Sequence, residues 1–208
     1  MSTERAKILL EEAIILLKES IEISPFDYRA HFDLGYVNSF YKNNNVEAEN
    51  NFNNAVLRSL QKDKKFAVYS LRHLTDVRKQ LCKYEEALCS IKEASDLSER
   101  DPQTQFEYTQ ILLLNNKEEE AKSIIIDLVE NEDCYFDIAI VDPNISKDDD
   151  ILKSLLNLRK VYIRKKKRQI ISSFKDYWEN DLVGTFVVKR NMFGKYKDIE
   201  FEHVKLKN

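Results

Sequence analysis

The sequence predicts an all-α protein: a solenoid of stacked helix-turn-helix pairs, a long C-terminal capping helix, and a small β-hairpin appendage after it. Three observations carry that expectation. Glycine and proline number only three each among 208 residues, so little in the chain interrupts a helix. A triplet of small and large apolar residues at helical spacing recurs through the first two thirds of the sequence. Period-two alternation is confined to the end of the chain.

The triplets define the helices that follow them. Lys83-Tyr84-Glu85-Glu86-Ala87-Leu88-Cys89-Ser90-Ile91-Lys92-Glu93-Ala94 has its fellow in the stretch from Asn116 to Leu128, and each places a small residue, then an apolar residue four and seven positions on. These are Ala87/Ile91/Ala94 and Ala121/Ile125/Leu128, with Ala48/Phe52/Ala55 and, more loosely, Ala13/Leu17/Ser20 upstream. Steps of four and three put each triplet on one helix face. The leading alanines are 35, 39 and 34 residues apart. The pattern predicts helices at 3–22, 27–42, 46–61, 65–81, 84–98, 103–115 and 118–131, with a short one at 134–141. Pro102 follows Asp101 where a helix opens, a position at which the missing amide donor costs little. Asp142-Pro143-Asn144 reads as a helix stop, and Ser146 with Asp148 to Asp150 as the next start.

This period and these small residues resemble the tetratricopeptide repeat family. Phe32-Asp33-Leu34-Gly35-Tyr36 is similar to the family's first-helix motif, an aromatic before a Leu-Gly pair, and Pro25 lies where the family often closes a repeat. The Leu-Gly pair gives way to Leu74-Thr75 and Tyr108-Thr109 in the following repeats. The resemblance spans roughly residues 3–142 and implies three to four helix pairs whose first helices line a concave groove for a peptide or partner protein. Laid on this sequence, it turns Arg29, Phe32, Tyr36, Tyr69, Arg72, Asp76, Lys79, Phe106 and Gln110 inward. Aromatics supply contact area and an arginine, Arg29 or Arg72, could grip a carboxylate. Tyr36 and Asp76 stand where the family's carboxylate clamp uses asparagine, so that clamp is not expected. Phe32 and Phe106 are also read as residues that pack between helices.

From Asp148 to about Asn180 nothing breaks a helix. Ile151, Leu155, Leu158 and Tyr162, at spacings of 4, 3 and 4, should dock on the last repeat. The seam then fails at Arg164-Lys165-Lys166-Lys167-Arg168, a stretch charged on every face. Beyond it, Phe186-Val187-Val188 and Ile199 to Val204 read as two strands joined through Asn191 to Lys197. The expected division is a solenoid at 1–157 and a basic helical extension with the appendage at 158–208. A hairpin alone is marginal in water, so Trp178, Phe186, Phe193, Tyr196 and Phe201 should pack on the helix, on a second copy, or on a partner.

Charge divides in the same place. Residues 1–150 hold 18 Lys and Arg against 30 Asp and Glu, a balance of −12, and residues 151–208 hold 15 against 6, a balance of +9. The cluster Arg159, Lys160, Arg164, Lys165, Lys166, Lys167 and Arg168 could neutralise phosphates of a nucleic acid, meet an acidic protein surface, or remain a solvated helix.

Chemistry finds little support. Gly35, Gly184 and Gly194 stand too far apart for a phosphate-cradling loop. His31, His73 and His203 are scattered, and Cys82, Cys89 and Cys134 have no metal-ligand spacing, so no metal and no cofactor are expected. Asp142-x-Asn144-x-Ser146 opens like a calcium loop but continues with Lys147 and Lys153 where glycine and glutamate belong. Cys82 or Cys89 with His73 could be imagined as nucleophile and base, yet helical thiols usually serve as small buried hydrophobes. Glu200, Glu202 and His203 share a strand, where alternation separates the carboxylates from the imidazole. The unpaired thiols, the lack of a signal segment and the absence of a long apolar run suggest a cytoplasmic protein with no membrane contact. The sequence thus predicts a non-enzymatic adaptor or scaffold that binds a protein or peptide in its groove. Its basic end would make a second contact, including a homodimer through the C-terminal segment. A nucleic-acid-associated protein and a dedicated chaperone or inhibitor of a partner are the alternatives.

Overall fold

A computed structural model describes the backbone of residues 3–132, 134–178, 184–190 and 196–203, and side chains for 5–132, 134–165, 167 and 168. Among these, the chain forms α1 (Thr3–Ile23), α2 (Tyr28–Phe40), α3 (Asn45–Ser59), α4 (Lys64–Gln80), α5 (Tyr84–Leu97), α6 (Pro102–Leu114), α7 (Glu118–Asn131), α8 (Cys134–Ala139) and α9 (Asp149–Trp178). Two strands follow, β1 (Gly184–Arg190) and β2 (Tyr196–His203). By contact the chain divides into two compact units, Met1–Leu155 and Leu156–Asn208.

The helix starts are fixed by side chains that accept from orphan backbone donors. Asp27 takes the Arg29 amide, Asn44 that of Glu47, and Asp63 that of Phe66. Asp101 takes both the amide and the hydroxyl of Thr104, just after Pro102. Asp148 accepts from the Asp150 and Ile151 amides and opens α9.

The turns inside the pairs share one device. Asn43, Cys82 and Asn116 adopt left-handed φ values of 52°, 58° and 55°. After the last two, the Lys83 and Lys117 amides reach back to the Arg78 and Leu112 carbonyls, the six-to-one bond of a Schellman ending. Glycine usually takes this position; here asparagine and cysteine do, which keeps the glycine count low. Cys82 is therefore a turn residue, and all three cysteines are exposed. The expectation that Cys82 and Cys89 are small buried hydrophobes is corrected on both counts.

Each triplet faces the core. Ala48, Phe52 and Ala55, Ala87, Ile91 and Ala94, and Ala121 and Ile125 are fully buried, and Leu128 nearly so. They join Phe32, Leu71, Leu74, Ile111 and Leu112 in one continuous cluster, which is how stacked repeats bury faces that no single pair could cover. The looser copy on α1 differs, since Ala13, Leu17 and Ser20 are only half-buried. At the other end Ile151 and Leu155 belong to the same cluster as the repeats. Leu158 and Tyr162, expected to extend that seam, are half-exposed.

Gly35 has a structural reason. A methyl group built there would lie 3.0, 3.1 and 3.2 Å from three atoms of the Phe52 ring, so α2 approaches α3 more closely than a side chain would permit.

Polar pairs tie successive repeats together. The buried Glu49 carboxylate accepts from Arg78 Nε at 3.0 Å and from Lys83 Nζ at 2.6 Å. Burial alone would push its pKa up; the hydrogen bonds from Lys83 and Arg78 outweigh that and hold it below the ordinary value. Arg78 also donates to the Ser90 hydroxyl and the Glu86 carbonyl, joining α3, α4 and α5.

In the second unit β1 and β2 pair antiparallel, with Phe186 opposite Phe201 and Val188 opposite Ile199, and an irregularity between Lys189 and Arg190. The expected aromatic contacts of Trp178, Phe186, Phe193, Tyr196 and Phe201 and the expected faces of Glu200, Glu202 and His203 lie outside the described side chains, as does the joint through Asn191 to Phe193, Gly194 and Lys195.

Candidate interaction groove

The first helices of the pairs, α2, α4 and α6, carry the residues expected to face inward. On α2, Arg29, Asp33, Tyr36 and Phe40 fall at spacings of 4, 3 and 4 and so share one face. On α4, Tyr69, Arg72, His73 and Asp76, at spacings of 3, 1 and 3, also share a face.

Between α2 and α4 lies a dense aromatic surface. The Phe32 ring centre is 5.0 Å from that of Tyr69, 5.1 Å from His73, 5.2 Å from Phe66 and 5.2 Å from Phe52. Tyr36 and Phe40 stack at 4.4 Å. His73 joins the groups: its ring lies 4.7 Å from Tyr69, 5.6 Å from Phe52 and 5.9 Å from Tyr36. Burial lowers the His73 pKa, Asp76 pulling it up and Arg72 reinforcing the fall, so the ring is neutral near pH 7. Phe32 is buried and serves as floor, whereas Phe40, Tyr41 and Tyr69 are 55%, 62% and 45% exposed. An exposed aromatic group of this size on a rigid base is what interfaces use as anchoring material.

The polar residues are engaged with one another. Arg72 donates from two nitrogens to both carboxylate oxygens of Glu107, at 2.7 Å for Nε and more closely for Nη2. That bond raises the Arg72 pKa further. Lys79 pairs with Asp76 at 3.1 Å, and the Gln110 amide donates to Asp142 at 2.6 Å. The carboxylate that Arg72 was expected to find in a ligand is thus supplied by α6. Arg29 is exposed, its guanidinium 5.7 Å from the Tyr28 ring centre. Phe106 is half-buried and faces Tyr135 at 5.7 Å, a packing role.

Asp33, Phe40, Tyr41, His73 and Glu107 stand beside the residues expected to face inward and are not among those the sequence singles out for the groove. A signal existed for three of them, since Asp33, His73 and Glu107 each follow an inward residue by one position and recur at the repeat spacing. In the sequence His73 reads as a histidine without metal-ligand spacing or as a base for a thiol.

The basic stretch lies in α9. Arg159, Lys160, Arg164, Lys165, Lys167 and Arg168 are exposed, and the side chain of Lys166 is outside the described set. No group of three or more His, Cys, Asp or Glu residues capable of holding a metal occurs among the described residues. Among them, too, no helix is long and apolar enough to cross a membrane.

No protein-family model matches the chain, and no curated protein matches it in sequence. Solved structures do match in fold. One is a crystal structure of MamA, with TM-score 0.59 and 11% identity over 82% of this chain and 98% of that one. Another is YrrB, described as a TPR protein with an unusual peptide-binding site, with TM-score 0.56 and 18% identity over 78% and 86% of the two chains. A third is a Podosopora anserina putative kinesin light chain with nearly identical TPR-like repeats, at TM-score 0.52 and 12% identity over 80% and 85%. At such identities the likeness speaks for architecture, and the helical part of this chain has the fold of a tetratricopeptide-like solenoid.

Proposed function

We propose that the protein is a non-enzymatic interaction module that takes a segment of a partner protein in the groove between α2, α4 and α6. The observation that carries this reading is the exposed aromatic surface of Phe40, Tyr41 and Tyr69, with the half-buried Tyr36 stacked on Phe40, above the buried ring of Phe32. The description of YrrB as a protein with a peptide-binding site supports it by analogy of fold. Arg29, Arg72, Asp76, Lys79 and Gln110 form the polar walls, with Arg72, Lys79 and Gln110 set in place by their partners. In this reading the chain works as a cytoplasmic scaffold. The solenoid of residues 1–157 supplies the groove, and the extension of 158–208, with its hairpin, makes a second contact or joins two copies.

The test is affinity purification with mass spectrometry, comparing the wild-type chain with the Phe40→Ala/Tyr69→Ala variant. Both side chains are about half-exposed and lie outside the buried core cluster, so helicity should stay constant while the groove partner is lost. A partner retained by the variant at wild-type yield refutes the groove.

The exposed basic stretch from Arg159 to Arg168 favours a second reading, contact with nucleic acid. Binding through it should fall steeply with salt, and changing these residues to Gln should abolish it. A shallow salt slope refutes that reading.

A further inference from the structure

Resting on the groove reading, we propose that the segment it takes is basic: an extended chain that lays an arginine or lysine side chain across Tyr36, Phe40 and Tyr69 and directs its charge to Asp33.

The groove is poor in cations available to an incoming acid. Arg72 is held through Nε and Nη2 by Glu107, and Lys79 by Asp76. An acidic partner would have to displace Glu107 from a two-point bond whose charges are already matched. Arg29 is the exception, exposed and lying near the Tyr28 ring.

The groove is better supplied for a cation. Asp33 shares the α2 face with Tyr36 and Phe40, three and seven residues on. No cation among the described residues forms a salt bridge with it. Burial raises its pKa, and the Asp27 carboxylate raises it further, a shift that an arriving positive charge would oppose. Beside it the stacked pair of Tyr36 and Phe40 presents ring faces and edges at 4.4 Å separation, with Phe40 and Tyr69 about half-exposed. An aromatic surface next to an unmatched carboxylate attracts a guanidinium or ammonium by the ring quadrupole and by charge together. The long-range field acts in the same direction: the unit Met1–Leu155 holds 19 Lys and Arg against 30 Asp and Glu, a balance of −11.

The experiment uses the full chain and two fluorescein-labelled octapeptides, one alternating arginine with leucine and one alternating glutamate with leucine. Fluorescence anisotropy should show saturable binding of the arginine peptide alone, with Asp33→Asn and Phe40→Leu/Tyr69→Leu each weakening it about tenfold. The control Glu118→Gln/Glu119→Gln alters exposed charges on α7, outside the groove, and should leave affinity within about twofold. Equal weakening by the control and by Asp33→Asn would mean diffuse attraction to an acidic surface and would overturn the inference. Preference for the glutamate peptide, sensitive to Phe40→Leu/Tyr69→Leu, overturns it while leaving the groove reading intact. Binding of neither peptide also overturns it, and the groove reading then stands or falls on the purification experiment.

Discussion

Replacing Gly35 by alanine tests whether the close approach of α2 and α3 is set by the Phe52 ring. Two effects oppose each other. Alanine is favoured over glycine in a helix interior by about 1 kcal/mol. The added methyl would meet the ring at 3.0 to 3.2 Å, tighter than ordinary contact, so something must move by a few tenths of an ångström. Phe52 has little freedom to do so, being fully buried, with Phe32 at 5.2 Å and His73 stacked at 5.6 Å. Overpacking of this kind costs about 1–3 kcal/mol. The net expectation is a destabilisation of about 1 kcal/mol and a fall in Tm of about 2–4 °C. In a Phe52→Leu background the obstacle is gone, and the same substitution should stabilise by about 1 kcal/mol through propensity alone. Urea denaturation of all four proteins, followed by circular dichroism, gives the cycle, with an expected coupling of about 2 kcal/mol. Equal effects of Gly35→Ala in the two backgrounds would refute the argument, because propensity would then explain everything.

Four further substitutions probe other parts of the structure. Glu49→Gln should cost about 2–3 kcal/mol at pH 7, since it removes the charge that Arg78 and Lys83 share. Because the Glu49 pKa is lowered in the folded state, its stabilisation is present above about pH 4.5 and disappears as pH falls through the folded value. Stability measured from pH 7 to 3 should therefore converge for wild type and variant at the acid end, and parallel curves would count against the ion triad. The His73 pKa is also lowered, so below about pH 6.5 the unfolded chain takes up a proton that the folded one refuses, and stability falls with pH there. His73→Phe should remove that limb while keeping a ring beside Phe52, and a persistent limb would assign it to another group. Cys82→Gly should stabilise by about 0.5–1 kcal/mol, as the relief of a left-handed φ of 58° exceeds the added unfolded-state entropy, whereas Cys89→Gly within α5 should destabilise by about 0.3–0.5 kcal/mol. Thermal melts of the pair decide this, and a destabilised Cys82→Gly would refute the strain.

The stack of pairs was legible because its determinant is a pattern of size as well as polarity. An alanine wherever two helices cross closely, with larger apolar residues one and two turns on, recurs at repeat spacing, and Ala48, Ala87 and Ala121 are fully buried in consequence. The groove was legible only in outline. Periodicity says which face turns inward, but not that Arg72 meets Glu107 across 35 residues of sequence, because both are ordinary solvent-facing types in isolation. Yet that separation is one repeat, and so are those of Asn45 from Gln80 and Glu49 from Lys83. Pairing charges one period apart would have found two of these bonds in advance. The left-handed turns were hidden for a different reason. Asparagine at Asn43 and Asn116 is a common left-handed residue, but a cysteine at Cys82 carries no such signal.

The floor of the proposed groove and the core are the same set of rings, and this constrains how the two can be tested apart. Phe52 lies against Gly35 and Phe32, and Phe32 lies against Tyr69 and His73, so a contact made in the interior reaches the surface through two rings. A substitution at Phe32 or Phe52 would lower stability and displace the proposed binding surface together, and a lost interaction would then say nothing about the site. Phe40, Tyr41 and Tyr69, each about half-exposed or more, contribute little to the core and stand on its outer edge. Loss of a partner on changing those residues, at unchanged Tm, reports on recognition alone. The Gly35→Ala substitution supplies the converse, a shift imposed from beneath with every exposed side chain retained. If binding depends on the exact spacing of Tyr36 and Tyr69, it should weaken in Gly35→Ala by more than the fraction unfolded explains. Recovery of affinity in Gly35→Ala/Phe52→Leu would show that the geometry of the floor sets the geometry of the site.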